Sequence, residues 1–243
     1  MELENLTESL HGPSRRRYED GCGTAHALDL LGERWALLVM RELMLGPKRF
    51  SDIRADLPGI SANTLTQRLE GLEKAGIVLR EKLPPPASGQ VYGLTEWGYQ
   101  ALPVMGALGR WAVRSPGHDP NQHFSAVSLL LSFMAMNQPG ITQALDAVIG
   151  FRLGRENYVL TAKEGMIRAV RGEPVGADVI FEGAPGAVAA AVYGGVPLAA
   201  LEAEGALRIE GDRAIAERFV TLFPLPPKAP RPEKSHPGEG RNP

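Results

Sequence analysis

Cysteine is nearly missing from this chain: Cys22 is the only one in 243 residues. No disulfide can close within the chain, so stability must come from packing, and a reducing compartment suits it. Histidine is sparse too. His11, His26, His118, His123 and His236 form no metal-ligand spacing with one another or with Cys22, so neither a metal nor a cofactor is expected. A G-x-S-x-G elbow and a G-x-x-x-x-G-K loop are both lacking, and neighbouring carboxylates such as Glu202 and Glu204 read as surface charge. Nothing points to an enzyme. The uncharged run Gly183–Leu201 approaches bilayer-spanning length, but Pro185, Gly194, Gly195 and Pro197 cut it into two short helices. Met1–Arg17 has no apolar core and carries Arg15-Arg16-Arg17 behind a polar stretch, unlike a secretion signal. The expectation is a soluble, cytoplasmic protein with no membrane partner. A large excess of one charge is also missing: a net charge of −2 argues against a nonspecific nucleic-acid coat.

What is present is an ordered segment, Phe50–Leu94, that reads as helix, turn, helix and β-hairpin. Ser61 is an N-cap after Pro58-Gly59, the spacing predicts a helix over Ala62–Ala75, and Gly76 stops it. Leu65, Leu69 and Leu72 form its core face. The opposite side carries Asn63, Thr64, Thr66, Gln67 and Arg68, groups suited to base edges and phosphates. Such a face is costly to bury and useful in a DNA groove. Ile77–Leu83 and Gln90–Leu94 have strand character around Pro84-Pro85-Pro86-Ala87-Ser88-Gly89, which makes a wing. Residues 46–82 hold seven basic against five acidic side chains, a net of +2, which suits salt-sensitive phosphate binding and equally a solvated surface.

The order Cys22, Ala27-Leu28-Asp29-Leu30-Leu31-Gly32-Glu33-Arg34-Trp35, Arg49-Phe50-Ser51-Asp52-Ile53, Leu65-Thr66-Gln67-Arg68-Leu69, Leu72-Glu73-Lys74-Ala75-Gly76-Ile77-Val78 and Tyr92-Gly93-Leu94-Thr95 resembles the HxlR-type winged-helix transcription regulators over about residues 20–114. The resemblance implies a homodimer on double-stranded DNA, with the helix from Ser61 as recognition helix and Leu83–Gln90 as wing. The wing adds Ser88 and Gln90 to the DNA-binding candidates, and the basic residues of 46–82 add Arg49 and Lys82. Family members commonly place a basic residue after the wing prolines, where this chain has Ala87-Ser88-Gly89-Gln90. Cys22 matches a cysteine that some of these regulators use as a redox or electrophile sensor; a lone cysteine is also commonly an inert small residue. Its place just before a helix start at Thr24-Ala25 would lower a thiol pKa.

Length asks for more than one domain. The expected division is an N-terminal tail over 1–19, a winged helix over 20–115, a linker over 116–121, a second domain over 122–223 and a disordered tail over 224–243 rich in Pro, Gly and charge. Thr95 caps a predicted long helix, Glu96–Arg114, kinked by Pro103, whose stripe of Leu102, Met105, Leu108, Trp111 and Ala112 serves either the core or a dimer contact. In the second domain, helices are predicted at His123–Asn137 and Ile141–Ile149. A meander follows, with strands near Phe151–Arg155, Asn157–Ala162, Met166–Val170 and Ala177–Glu182. Short helices at Pro185–Tyr193 and Leu198–Glu202, a strand Leu207–Glu210 and a helix Arg213–Phe223 complete an α+β fold. Ala177-Asp178-Val179-Ile180-Phe181-Glu182-Gly183, Ala206-Leu207-Arg208-Ile209-Glu210-Gly211-Asp212 and Leu222-Phe223 look like the sterol-carrier-protein type domain. That resemblance implies helices over a twisted sheet and an apolar tunnel, for which Phe133, Met134, Val188, Val192 and Phe219 are the candidate lining; a filled core needs the same residues. The chain therefore reads as a dimeric repressor whose second domain senses an apolar small molecule. The alternative is a lipid-binding or protein-interaction scaffold whose winged helix leaves DNA alone.

Overall fold

The computed structural model describes residues 18–83, 89–120 and 122–230. The first part opens with α1 (Gly23–Leu31) and α2 (Ala36–Leu43), then β1 (Lys48–Arg49), α3 (Phe50–Asp56) and α4 (Ala62–Lys74). Ser61 caps α4 by accepting from the Thr64 amide, and Ala75 ends it. Gly76, at φ +71°, then turns the chain into β2 (Val78–Lys82), a conformation that favours glycine. β2 pairs antiparallel with β3 (Gln90–Leu94), Val78 opposite Leu94 and Lys82 opposite Gln90, and β1 closes the other edge in the order β1-β3-β2. The core beneath holds Val39, Met40 and Leu43 of α2 against Leu65, Leu69 and Leu72 of α4.

The single helix expected over Glu96–Arg114 is two: α5 (Glu96–Tyr99), capped by Thr95, and α6 (Leu102–Ala112). Pro103 lies in the first turn of α6 instead of kinking a longer helix, since its missing N–H belongs where amides go unpaired anyway.

The second part begins with α7 (Ala126–Met136), capped by Ser125, and the short α8 (Pro139–Thr142). The helix predicted over Ile141–Ile149 does not continue. From Ala147 the chain is β4 (Ala147–Leu153), because the β-branched pair Val148-Ile149 alternates with buried neighbours on a pleated surface. β5 (Glu156–Lys163) and β6 (Met166–Arg171) follow as an antiparallel meander. β7 (Val179–Gly183) was expected to extend it, yet pairs parallel with β4 on the far side, and β8 (Leu207–Gly211) lies antiparallel beyond, giving β6-β5-β4-β7-β8. The connection crosses β4 at Gly150, where a Cβ would fall 2.5 Å from Cβ of Pro174 and 2.9 Å from Cγ1 of Ile180. Only glycine leaves that room. α9 (Pro185–Gly194), α10 (Leu198–Ala203) and α11 (Arg213–Phe219) complete the α+β layer. No described helix is long and apolar enough to cross a membrane.

The core of this part is a set of rings. Phe133 stacks on Phe223 at 4.8 Å and meets Phe219 edge-on at 5.4 Å, while Phe151 stacks on Phe181 at 5.6 Å. This corrects the expected tunnel lining. Phe133, Val188 and Phe219 have no exposed surface, because the phenyl groups fill the space between helices and sheet; Val192 and Met134 are half-buried at the edge of this core, Met134 on the side of α7 that borders α6.

The two parts are joined by polar contacts as well as packing. Lys48, with its side chain 1% exposed, places Nζ 2.5 Å from Asp56, 3.1 Å from Glu156 and 3.4 Å from Glu42. Glu42, fully buried, also accepts from Arg41 and from Ser125 Oγ at 2.7 Å. Glu156 further accepts from the Tyr158 hydroxyl at 2.7 Å and pairs with Arg171, which donates to the Pro47 carbonyl at 2.6 Å. Residues 224–230 are not the free tail expected of them. Lys228 Nζ donates to the Val113 carbonyl at 2.9 Å, the Ala229 amide to Arg114 at 2.7 Å, and Arg114 Nε to the Pro227 carbonyl at 3.2 Å, strapping the chain back to the end of α6. The rest of the expected tails, 1–17 and 231–243, lies outside the described residues.

Candidate nucleic-acid interface

The helix proposed to read bases is α4, and its sides are chemically sorted. Leu65, Leu69 and Leu72 are sealed in the core. Asn63, Thr66 and Gln67 are exposed and make no side-chain hydrogen bond among the described residues. Ser61 and Thr64 are engaged with each other, Oγ to Oγ1 at 2.8 Å, so their first duty is to the helix end. Arg68 is the largest departure from the sequence reading. It is not part of the outward face: Nε donates to the Arg34 carbonyl at 3.0 Å, Nη2 pairs with Glu33 at 3.0 Å, and the side chain is 15% exposed. Position 68 borders the core face, one residue before Leu69, so the guanidinium is drawn back toward the turn entering α2. That turn holds Trp35 at φ +79°, a strained conformation for a bulky residue, and Arg68 steadies it.

The hairpin supplies the second edge. Lys82 and Gln90 face each other across β2 and β3, both exposed, at the base of the wing. Arg49 on β1 lies beside Gly89, whose φ of +128° and lack of a side chain let the guanidinium sit against the backbone. Arg80 is held 5.3 Å over the Tyr92 ring and paired with Glu73, which stiffens the hairpin against the end of α4. Ser88, a wing candidate, lies outside the described residues. Lys48, one of the seven basic side chains of residues 46–82, is buried and lies off any basic face, because β1 is covered by the second part of the chain.

A capped helix with one polar edge outward, beside a two-stranded wing, is what a family of regulators uses. The family model described as HxlR-like helix-turn-helix matches residues 30–119. The uncharacterized HTH-type transcriptional regulator YvaP of Bacillus subtilis (strain 168) is 38% identical over 86 residues, which is 35% of this chain and 80% of YvaP. The chain belongs to the HxlR-like helix-turn-helix family. Another relative, the HTH-type transcriptional regulator YodB of the same organism, is 42% identical over 86 residues, 35% of this chain and 77% of its own length. The solved reduced form of YodB shares 38% identity and covers 40% of this chain and 98% of that one, with a TM-score of 0.37. Residues 131–224 match the SCP-2 sterol transfer family. This HxlR-like protein is thus a DNA-binding transcriptional regulator with an SCP-2 domain behind its winged helix.

Cys22 completes the inventory of sequence candidates. It is exposed and is the N-cap residue of α1. The amide N–H groups of Thr24 and Ala25, and then the Thr24 hydroxyl, favour its thiolate and hold its pKa below the ordinary thiol value. Two elements escaped sequence reasoning: the buried Lys48 cluster, whose members lie up to 114 positions apart in the chain, from Glu42 to Glu156, and a groove between α2, α6 and α7. The only local hint of the first was Lys48 and Glu42 flanking an apolar run, which many exposed pairs share.

Proposed function

We propose that the protein binds operator DNA as a homodimer in the cytoplasm, inserting the N-terminal half of α4 into the major groove with the wing alongside. The observation that carries this reading is the outward edge of α4, where Asn63, Thr66 and Gln67 stand exposed without side-chain partners among the described residues. Asn and Gln amides match the paired donor and acceptor of adenine, and the Thr66 methyl suits a thymine methyl. Lys82 and Arg49 then lie where phosphates pass, and Gln90 beside them can donate to the backbone. The two copies associate through α6, whose Val104, Leu108 and Trp111 recur at i, i+4 and i+7 and are 63%, 45% and 72% exposed. A two-fold dimer would place its recognition helices one DNA turn apart, about 34–36 Å.

The test is fluorescence anisotropy with DNA from upstream of the gene itself, at several salt concentrations. Saturable binding that resists random competitor is expected, with a log–log salt slope of about −0.9 for each phosphate contacted. Equal affinity for random DNA would return the chain to the scaffold reading. Cys22 is assigned as a reactive thiol on this regulator. Mild peroxide is expected to change operator affinity in the natural sequence and to leave Cys22→Ser unaffected, by oxidising the thiolate to a sulfenic acid. Equal responses of the two proteins would make Cys22 inert.

A further inference from the structure

A groove of about 720 Å³ runs between the two parts of the chain. One wall is Leu37, Leu38 and Arg41 of α2, the floor is most of α6, and the other wall is the outer face of α7, including Leu131 and Met134. Its size falls in the range of about 300–1,000 Å³ typical of small-molecule sites, which favour such boundaries between domains.

The groove is hollow because of the sequence of α6. Gly106 and Gly109 both line it. A Cβ on Gly109 would meet nothing within 4 Å, and one on Gly106 only Cβ of Ala135 at 3.9 Å. Each glycine inside a helix costs about 1 kcal/mol relative to alanine. Alanine would fit at both places, so packing does not call for glycine, and what the two glycines provide is space.

The lining is apolar except for a few groups, and its charge has one sign. Among the described residues, Arg41 and Arg110 are its only charged side chains and no carboxylate lines it. Arg41 is paired with Glu42. Arg110 donates through Nη2 to the carbonyls of Ala135 and Asn137, and among the described residues it has no carboxylate partner. Its charge is uncompensated at the side of an apolar slot. Ser128 and Ser132 add hydroxyls on α7.

We propose that this groove is a binding site for an elongated apolar molecule bearing one carboxylate, with the chain along Gly106 and Gly109 and the head group on Arg110. A second copy of the protein is the less suitable occupant: of the three α6 residues assigned to the contact between copies, Leu108 borders the groove, but Val104 and Trp111, the more exposed two, do not line it. The site is distinct from the ring-filled core behind α7. Occupancy would set the spacing of α6 and α7 against α2, and α2 packs directly on α4. An effector acting through such a two-state contact changes affinity by roughly five- to 150-fold. Only this last step rests on the regulator reading; binding itself does not.

The experiment uses the full chain with dodecanoate below its micellar concentration and dodecanol as its uncharged analogue. Calorimetric titration is expected to give one dodecanoate per chain, with a raised thermal midpoint and at least tenfold weaker binding of dodecanol. Gly109→Leu, which has open space for its side chain, and independently Ala107→Leu should abolish binding while the protein stays dimeric and binds operator. Arg110→Gln should reduce dodecanoate to the level of dodecanol. No binding of dodecanoate, or binding that survives both filling variants, overturns the proposal. Dissociation of the dimer by Gly109→Leu would overturn it too, assigning the groove to contact between copies. Operator affinity that ignores saturating dodecanoate would leave the site and remove its coupling to α4.

Discussion

Lys48→Met is expected to destabilise the protein by about 3–5 kcal/mol, the range for removing one partner of a buried ionic cluster. Methionine keeps the volume and the apolar stem but takes away the cation that, among the described residues, meets Glu42, Asp56 and Glu156 together. Each carboxylate keeps some support: Glu42 from Arg41 and Ser125, Asp56 from Arg155 at 3.2 Å, and Glu156 from Tyr158 and Arg171. The loss should therefore fall toward the lower end of the range. It should also be local in character, loosening the seam between winged helix and SCP-2 domain first. Denaturant unfolding followed together with limited proteolysis of the 115–120 segment would read both effects. A loss below about 1 kcal/mol, the scale of an exposed pair, would mean that the cluster does not hold the seam.

Acid should weaken the same contact. Burial raises the pKa of Glu156, but the Tyr158 hydroxyl, Lys48 and Arg171 outweigh it and hold the carboxyl below its ordinary value. A group whose folded pKa is depressed contributes stability above the unfolded value, and that contribution is lost as pH falls through the folded one. Below the ordinary glutamate range the seam therefore loosens, and Glu156→Gln should flatten that pH dependence.

The second large effect is on specificity. Asn63→Ala with Gln67→Ala should leave the fold and dimer unchanged, since both side chains are exposed and unbonded among the described residues. Each lost base contact removes about 1–3 kcal/mol of discrimination, so operator preference over random DNA should fall by more than tenfold. Arg68→Ala should behave differently. Its guanidinium supports the Glu33-Arg34 turn, so the expected loss is in thermal stability, at an unchanged ratio of specific to random binding. Competition anisotropy with circular dichroism on the three proteins separates the two roles. Undiminished preference in the Asn63/Gln67 double variant would take α4 out of the groove.

Much of the architecture could be read locally. The cap at Ser61, the leucine spacing of α4 and the stop at Gly76 all act within one or two turns, so the helix was placed to within a residue. β5, β6, β7 and β8 are legible for a similar reason, since alternation and glycine turns are short-range features, whereas β4, expected near Phe151–Arg155, runs from Ala147 to Leu153. Failures came where a distant partner decides. Ile141–Ile149 has helical spacing, yet its last residues are claimed by pairing with β5. The parallel seat of β7 beside β4 depends on a crossover that only the space over Gly150 permits.

By itself, then, the sequence determined which helix presents a polar edge and where the wing, the family resemblance and the division into two domains lie, because these depend on neighbours in the chain. Tertiary structure decided what the charged and aromatic residues do. It turned Arg68 inward, buried Lys48 against carboxylates from both domains, filled the expected tunnel with Phe133, Phe219 and Phe223, and left the hollow between α6 and α7 instead. A guanidinium, an ammonium or a phenyl ring has the same local propensity on either side of a helix. Its environment is set by whichever groups the fold brings within a few ångströms, and those come from remote parts of the chain.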